Sequence, residues 1–207
     1  MERRLLGQAR RIALTDRLIA IGASAGGPQA IEFVLRHLPA VMPPIVIVQH
    51  MPEVFTLAFA RRLDELCTLT VREAAQGDLL KPGLVLIAPG GKHLTLRRLA
   101  TDFVVQIDDN PPYNRHRPSV DVLFRSVIAC GVSSALGLVL TGMGNDGAQG
   151  LCEMREHGFA TLAQDEGSSM VWGMPRAAKL AGAVDERDIL SLESIPSALQ
   201  RFALQKK

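Results

Sequence analysis

Aromatic residues, cysteines and net charge are all scarce in this chain of 207 residues. Aromatics make up 4% of the sequence against 47% for all hydrophobic residues, so we expect a core built mainly from Ala, Val, Leu and Ile. The three cysteines form no Cys-x-x-Cys pair. This spacing excludes the usual zinc and disulfide frameworks and favours a reduced, cytoplasmic setting. A net charge of +2 is too small to favour nucleic acid as a partner.

Long apolar runs are also missing. No stretch of about 18 consecutive apolar residues occurs, so we expect no membrane insertion. Arginines cluster in the first 17 residues, but that stretch lacks the continuous apolar core of a signal peptide. We therefore divide the chain into a basic N-terminal lead-in, residues 1–17, and one domain, residues 18–207.

Short buried strands alternate with amphipathic helices along this domain. Apolar runs predict strands at 18–21, 45–48, 84–88, 136–140 and 159–163, and helical spacing predicts helices at 28–38, 56–66, 120–128, 148–157, 174–182 and 192–204. Residues 93–98 and 103–107 are typical of an antiparallel hairpin. The pattern predicts an α/β fold with a doubly wound, mostly parallel sheet, helices on both faces and one antiparallel hairpin.

Ser24 lies in Gly22-Ala-Ser-Ala-Gly26, a G-x-S-x-G sequence that joins the first strand to the first helix. Glycines at these positions permit a tight turn that leaves the serine hydroxyl exposed. The N-terminus of the following helix offers N–H groups and a positive dipole end, which stabilise an oxyanion. We therefore predict that Ser24 is a nucleophile.

A serine nucleophile needs a general base, and the chain has five histidines. His50 directly follows the second buried strand, and ligands bind at the carboxyl ends of parallel strands, so we expect His50 to lie beside Ser24. His93 begins the hairpin and is a weaker candidate. His116 lies between Arg115 and Arg117 in the long polar loop 108–118, and these three residues are candidate substrate contacts.

The third group should be a carboxylate that orients the histidine. Asp146 follows the strand predicted at 136–140, again at a carboxyl end. Asp108 and Asp109 leave the hairpin in a direction that is hard to predict, and Asp165 ends a strand near the edge of the sheet. These three remain alternatives to Asp146.

The glycine loop around Asp146 also matches a different class of protein. Gly142-Met-Gly-Asn-Asp-Gly147 is a G-x-G-x-x-G sequence between a strand and a helix, with Asp165 near the position of a ribose-binding acid. A dinucleotide-binding domain that uses Gly142–Gly147 is therefore an alternative. It leaves too little chain for the remaining strands and leaves Ser24 and His50 unexplained.

Several segments resemble, in order, the catalytic domain of the chemotaxis protein-glutamate methylesterase family, CheB. They are Ile-Gly-Ala-Ser-Ala-Gly-Gly (21–27), Val-Gln-His-Met-Pro (48–52), Ile-Ala-Pro-Gly-Gly-Lys-His (87–93), Arg-His-Arg-Pro-Ser-Val-Asp (115–121), Leu-Thr-Gly-Met-Gly-Asn-Asp-Gly (140–147) and Gly-Met-Pro (173–175). The resemblance spans about residues 18–200. It implies that residues 18–207 form a methylesterase catalytic domain.

The resemblance also implies roles for individual residues. Ser24 would be the nucleophile, His50 the general base and acid, and Asp146 the residue that orients His50. The backbone N–H of Met143 would stabilise the oxyanion. No metal and no organic cofactor is implied.

The implied reaction is hydrolysis of glutamate γ-methyl esters on the cytoplasmic helices of methyl-accepting chemoreceptors, with deamidation of certain receptor glutamines. A receptor-binding module without turnover is the alternative in a different functional class. Many relatives have Thr or Ser after the nucleophile, where this chain has Ala25, so one side-chain hydrogen bond is missing. Typical members also carry a phosphorylatable receiver domain, for which the lead-in leaves no room. We therefore expect an excised domain or a stand-alone esterase that is constitutively active or controlled by a separate regulatory protein.

Overall fold

The computed structural model describes residues 16–205. Its strands are β1 (Arg17–Ala23), β2 (Ile45–Gln49), β3 (Thr70–Glu73), β4 (Leu84–Ile87), β5 (His93–Leu99), β6 (Asp102–Asp108), β7 (Ser134–Val139), β8 (Ala160–Gln164) and β9 (Ile189–Leu190). Its α-helices are α1 (Gly27–Arg36), α2 (Glu53–Leu66), α3 (Val120–Ala129), α4 (Ala148–Glu156), α5 (Met174–Leu180) and α6 (Ile195–Leu204). Most of the predicted lead-in, residues 1–15, lies outside the described residues.

Seven strands form one sheet in the order β3-β4-β2-β1-β7-β8-β9. Every neighbouring pair in it is parallel. Strands β5 and β6 form a separate antiparallel hairpin. The predicted fold class is confirmed. After β1 the chain builds the sheet outward through β2, and it later returns to the other side of β1 with β7, so a topological switch point lies at β1.

The central strands are buried on both faces, because helices cover each side of the sheet. Along β1, Leu18 and Ala20 pack into the apolar cluster that contains side chains of α3, α4 and α5. Ile19 and Ile21 alternate with them and pack into the cluster that contains side chains of α1, α2 and α6. This two-sided burial explains why the strands are continuous apolar runs rather than alternating patterns.

Two short edge strands, β3 and β9, were not predicted from the sequence. β3 has a single fully buried residue, Val71, between exposed neighbours. β9 has only two residues, Ile189 and Leu190, both half-buried. Such short edge strands carry too little apolar pattern to be distinguished from loops.

The last helix is attached to the start of the sheet by a buried arginine. The Arg17 guanidinium donates hydrogen bonds to the carbonyls of Phe202 and Gln205 at the end of α6. Its charge also lies 5.6 Å from the centre of the Phe202 ring. Within residues 16–205, no helix has both the length and the apolarity that a bilayer crossing requires.

Candidate active site

Ser24 and His50 follow two adjacent strands at the same edge of the sheet. The last paired residues of β1 and β2 are Ala23 and Gln49, so Ser24 and His50 come next in register. The backbone N–H of His50 donates to the Ala23 carbonyl at 3.0 Å. On the other side, the Ser24 N–H donates to the Thr141 carbonyl after β7, also at 3.0 Å. These backbone hydrogen bonds thus hold Ser24 between the carboxyl ends of β2 and β7.

The turn at Ser24 depends on two glycines. Gly26 has a left-handed backbone with φ of 78°, which lets the chain reverse into α1. Gly142 packs directly against Ser24, because a Cβ at Gly142 would lie 2.8 Å from Ser24 Cβ and 2.3 Å from Met174 Sδ. A larger residue at position 142 would therefore displace the serine.

Asp146 is fully buried and is surrounded by donors at the N-terminus of α3. Its Oδ1 accepts hydrogen bonds from Ser119 Oγ at 2.7 Å and from the Asp121 N–H at 3.2 Å. Its Oδ2 accepts from the Val120 N–H at 2.7 Å. Burial alone would raise the pKa of Asp146, but the hydrogen bonds from His50, Ser119 and Val120 outweigh it and lower the pKa below its ordinary value. The carboxylate is therefore held ionised in a fixed orientation.

His50 forms the fourth hydrogen bond of this carboxylate. Its Nε2 lies 2.9 Å from Asp146 Oδ2. Because an ionised carboxylate only accepts, Nε2 carries the hydrogen and Nδ1 keeps its lone pair. Nδ1 is buried and has no hydrogen-bond partner among residues 16–205. The nitrogen free to accept a proton is therefore Nδ1, the reverse of the ring orientation in the usual serine-protease triad.

Ser24 and His50 are neighbours without a mutual hydrogen bond. Neither the Ser24 hydroxyl nor His50 Nδ1 forms a side-chain hydrogen bond to the other in the part of the chain that the structure describes. Such catalytic contacts often shorten only when substrate is bound. The structure therefore shows a direct hydrogen bond between His50 and Asp146. Ser24 lies at the end of the neighbouring strand, β1.

His116 covers the ring of His50. The two imidazoles are stacked, with their centroids 3.9 Å apart and their planes 4° apart. Burial, together with the charge that His50 can carry, lowers the pKa of His116 below its ordinary value, although Asp146 acts in the opposite direction. His116 therefore takes up a proton less readily than a solvent-exposed histidine does.

The loop that carries His116 is fixed at several points. Asn114 Nδ2 donates to the buried Asp121 carboxylate at 2.9 Å. Arg117 Nη1 donates back to the carbonyls of Asp109 and Asn110, at 2.9 and 3.2 Å, so its side chain serves the loop itself. Arg115 is exposed, with a left-handed backbone at φ of 67°. Of the three candidate substrate contacts, His116 is the residue that stacks on the His50 ring.

The alternative acidic residues lie elsewhere. Asp109 pairs with Lys92 at 2.6 Å, and the hydrogen bond from Lys92 lowers the pKa of Asp109. Asp108 accepts from the Asn110 N–H at 3.0 Å, and Asp165 accepts from Ser168. Among the four candidate carboxylates, the structure brings Asp146 to His50.

His93 is buried and forms its hydrogen bonds with backbone groups rather than with Ser24, His50 or Asp146. Its Nε2 lies 3.1 Å from the Pro111 carbonyl, and its Nδ1 accepts from the Ser119 N–H at 3.3 Å. It joins the loop 108–118 to the start of α3. Ser119, by contrast, is a direct partner of Asp146 that the sequence analysis missed. Its position after Pro118, at the start of a helix, indicates an N-cap, but no feature of the sequence indicates that its hydroxyl reaches Asp146.

The glycine loop Gly142–Gly147 is shaped by packing within the chain. Gly142 fits against Ser24 and Met174, and Gly147, with φ of 91°, fits against Val120. The acidic residue within the loop, Asp146, forms its hydrogen bonds with His50 and with the N-terminus of α3. These contacts account for Gly142 and Gly147 without a dinucleotide. Residues 16–205 also contain no group of three or more His, Cys, Asp or Glu side chains arranged to hold a metal ion.

Ser24, His50 and Asp146 follow three strands of an open parallel sheet, at the edge where α/β proteins of this class bind their ligands. The chain order Ser, His, Asp differs from the Ser, Asp, His order of the α/β-hydrolase fold. The family model described as CheB methylesterase matches residues 19–199. The chain belongs to this family.

Similar proteins agree with this assignment. A protein-glutamate methylesterase/protein-glutamine glutaminase 2 of Dechloromonas aromatica is 56% identical over 185 residues, which cover 89% of this chain and 51% of the relative. The protein of the same name from Xanthomonas campestris pv. campestris is 58% identical over 171 residues, 83% of this chain and 49% of the relative. The chain thus spans about half the length of these curated relatives.

A solved structure is similar to this chain over most of its length. The crystal structure of the Thermotoga maritima CheB methylesterase catalytic domain superposes with a TM-score of 0.84 at 37% identity. The match covers 88% of this chain and 96% of that domain. Residues 16–205 therefore adopt the fold of this catalytic domain.

Proposed function

We propose that this chain hydrolyses glutamate γ-methyl esters, with Ser24 as nucleophile, His50 as general base and acid, and Asp146 as the residue that orients His50. The observation that carries the proposal is the hydrogen bond between His50 Nε2 and the buried Asp146 carboxylate, at the strand end next to Ser24. Support comes from the CheB methylesterase family and from relatives named as methylesterases and glutaminases.

The first step forms an acyl-enzyme. Ser24 Oγ attacks the ester carbonyl while His50 Nδ1, the nitrogen with the free lone pair, takes the hydroxyl proton. The resulting imidazolium donates through Nε2 to Asp146, which is already ionised and held by α3. Because these groups are fixed before substrate binds, little reorganisation is needed as charge develops.

The tetrahedral oxyanion needs donors of its own. The backbone N–H of Met143 donates to no acceptor among residues 16–205, and this residue lies one position after Gly142, which packs on Ser24. We assign this N–H to the oxyanion. A single donor of this kind contributes about 3–4 kcal/mol to the transition state in comparable sites.

Collapse of the intermediate releases the alcohol. His50 returns its proton to the departing methoxide, methanol leaves, and Ser24 remains acylated by the glutamyl carbonyl. A water molecule then attacks with His50 again as base, which regenerates the serine and frees the glutamate carboxylate. A glutamine side chain presents the same acyl group with ammonia as the leaving group, so the same residues support deamidation.

The substrates we propose are the cytoplasmic helices of methyl-accepting chemoreceptors, and the cytoplasm is the compartment. The side chain of Met143 is 73% exposed and that of Met170 is 69% exposed. A Cβ at Gly26, two residues after Ser24, would lie 2.6 Å from Met170 Cβ, so both methionines border the nucleophile turn. Flexible apolar methionines suit contact with a protein substrate rather than with a small molecule.

The test is methanol release from a methylated receptor fragment by the wild type and by Ser24→Ala. We expect Ser24→Ala to lower kcat by about 10³- to 10⁶-fold, the range seen when the nucleophile of a triad is removed. Ser197→Ala, which changes an exposed serine on α6, is the matched control and should keep full activity. Equal rates for Ser24→Ala and wild type would refute the nucleophile assignment. Tight binding of the receptor without any methanol release by the wild type would favour a binding module instead.

A further inference from the structure

Gln49 connects the two residues that would carry the reaction. It is the last residue of β2 and only 2% exposed. Its side-chain amide nitrogen donates to the backbone carbonyl of Ser24 at 2.9 Å and to that of His50 at 3.0 Å. Both hydrogens of one amide group are thus used by the backbones of the nucleophile and the base.

We call these two hydrogen bonds from the Gln49 amide the Gln49 clamp. The clamp lies just beyond the last backbone hydrogen bonds between β1 and β2. The ladder between β1 and β2 ends at the pair Ala23 and Gln49, followed by the hydrogen bond from the His50 N–H to Ala23. Beyond this point the chain turns into α1 on one side and runs toward α2 on the other. Beyond the end of the ladder, the Gln49 amide therefore connects the backbones of Ser24 and His50.

The orientation of the amide is determined by its partners. Two carbonyl oxygens face one end of the amide, so that end is the NH₂ group, because an oxygen there would be repelled by both. The other end, Oε1, is buried and has no hydrogen-bond partner in residues 16–205. It lies against Gly27, where a Cβ would approach Oε1 to 2.0 Å.

This unpaired oxygen argues that Gln49 does more than stabilise the fold. A buried acceptor without a partner lowers stability, and an apolar side chain of the same size would avoid that penalty. The neighbouring positions of β2 are in fact apolar, Ile47 and Val48. A polar residue with an unsatisfied end is expected where function requires its satisfied end.

We propose that Gln49 is a positioning residue that sets the placement of Ser24 relative to His50 by clamping their two carbonyls. The proposal rests on the roles proposed above for Ser24 and His50. The clamp matters because a displacement of about 1 Å between reacting groups lowers the rate by about 100-fold. Gln49 itself touches neither substrate nor the reacting atoms.

The test is Gln49→Met, which keeps the length of the side chain and removes both donors. We expect kcat for methanol release to fall by about 10- to 100-fold while KM changes by less than threefold. The melting temperature should fall by no more than about 4 °C, because removal of the unsatisfied Oε1 partly offsets the loss of the hydrogen bonds to the two carbonyls. Gln200→Met is the matched control, since Gln200 Nε2 also donates to a backbone carbonyl, that of His37 at 3.0 Å, on the surface of α6.

The outcomes separate the possible roles. A kcat for Gln49→Met within twofold of wild type overturns the proposal, and so does a lower activity that the unfolded fraction of the sample fully accounts for. If Gln49→Met yields no folded protein, Gln49→Leu, which is also apolar and lacks the NH₂ donors, replaces it under the same criteria. Ser24→Ala is measured alongside. Full activity in Ser24→Ala removes the proposed function together with the clamp, whereas an inactive Ser24→Ala beside a fully active Gln49→Met removes the clamp alone.

Discussion

The imidazole rings of His50 and His116 lie flat against each other, 3.9 Å between centroids and 4° between planes. His50 is thereby enclosed by Asp146 at its Nε2 edge and by His116 on one face. The enclosure limits contact of the His50 ring with water. Because one edge and one face of the ring are in contact with side chains, the plane of the ring and the direction of Nδ1 are fixed.

The first prediction concerns the contribution of the stacked rings to the placement of His50. His116→Ala leaves the imidazole held at one edge only, by Asp146, and should lower kcat by about 10-fold through looser positioning of Nδ1. His116→Phe keeps a flat ring on His50 and should keep kcat within about threefold of the wild type. Equal kcat values for His116→Ala and the wild type would contradict this role of the stack.

The second prediction concerns the stability that Asp146 contributes. The pKa of Asp146 is lower in the folded chain than in the unfolded chain, where it is about 3.9. Between these two values the folded chain binds fewer protons, so the free energy of unfolding falls as pH falls through this window. Asp146→Asn should therefore show a flatter dependence of unfolding free energy on pH below about 4. Urea unfolding between pH 3 and 6 measures it.

Two observations check the origin of this dependence. Asp102→Asn, which changes an exposed aspartate at the start of β6, should keep the wild-type pH dependence of stability. A wild-type slope in Asp146→Asn would show that another carboxylate is responsible. The same variant should lose about 10⁴-fold in kcat at neutral pH, because the neutral amide favours the wrong tautomer of His50.

A third prediction concerns Gly142, against which Ser24 packs. An added methyl group at Gly142 would approach Ser24 Cβ to 2.8 Å and Met174 Sδ to 2.3 Å. The flexible methionine can move aside, but the serine is attached to the backbone of β1. We expect Gly142→Ala to lower kcat by about 100-fold or more. The variant should remain folded at the temperature of the assay. Gly167→Ala, where the added carbon has only one neighbour at 3.9 Å, is the control and should be active.

A fourth prediction concerns the buried Arg17. Arg17→Met leaves the carbonyls of Phe202 and Gln205 without their charged donor and should lower the unfolding free energy by about 2–3 kcal/mol. Arg176→Met, at an exposed position on α5, should change it by less than about 0.5 kcal/mol. Chemical unfolding at neutral pH compares the two. Equal stability of the two variants would show that α6 is held by its apolar face alone.

Much of the architecture was predictable because the central strands are unusually easy to recognise. Runs such as Leu18–Ile21 and Ile45–Val48 are apolar on both faces, and each is followed by a glycine or a polar residue near the end of its strand. The carboxyl ends of parallel strands meet at one edge of the sheet. For this reason Ser24 and His50 were expected to be neighbours, and the register of β1 with β2 places them so.

The orientation of side chains at that edge was not predictable. The sequence offered four aspartates for one role, and their order along the chain did not decide among them. Asp146 was selected by packing, since the N-terminus of α3 presents Ser119 Oγ and two backbone N–H groups to its carboxylate. The free nitrogen of His50 and its stacking on His116 follow from the same packing.

The sequence by itself determined the strand–helix alternation, the turn glycines and the position of a serine, a histidine and an aspartate at strand ends. These features depend on residue spacing and on backbone preferences, which are local. Only the tertiary structure decided which atoms meet: Asp146 with His50 Nε2 across 96 positions, and Gln49 with Ser24 across 25. Contacts between distant segments are set by how helices pack on the sheet, and no local pattern records that packing.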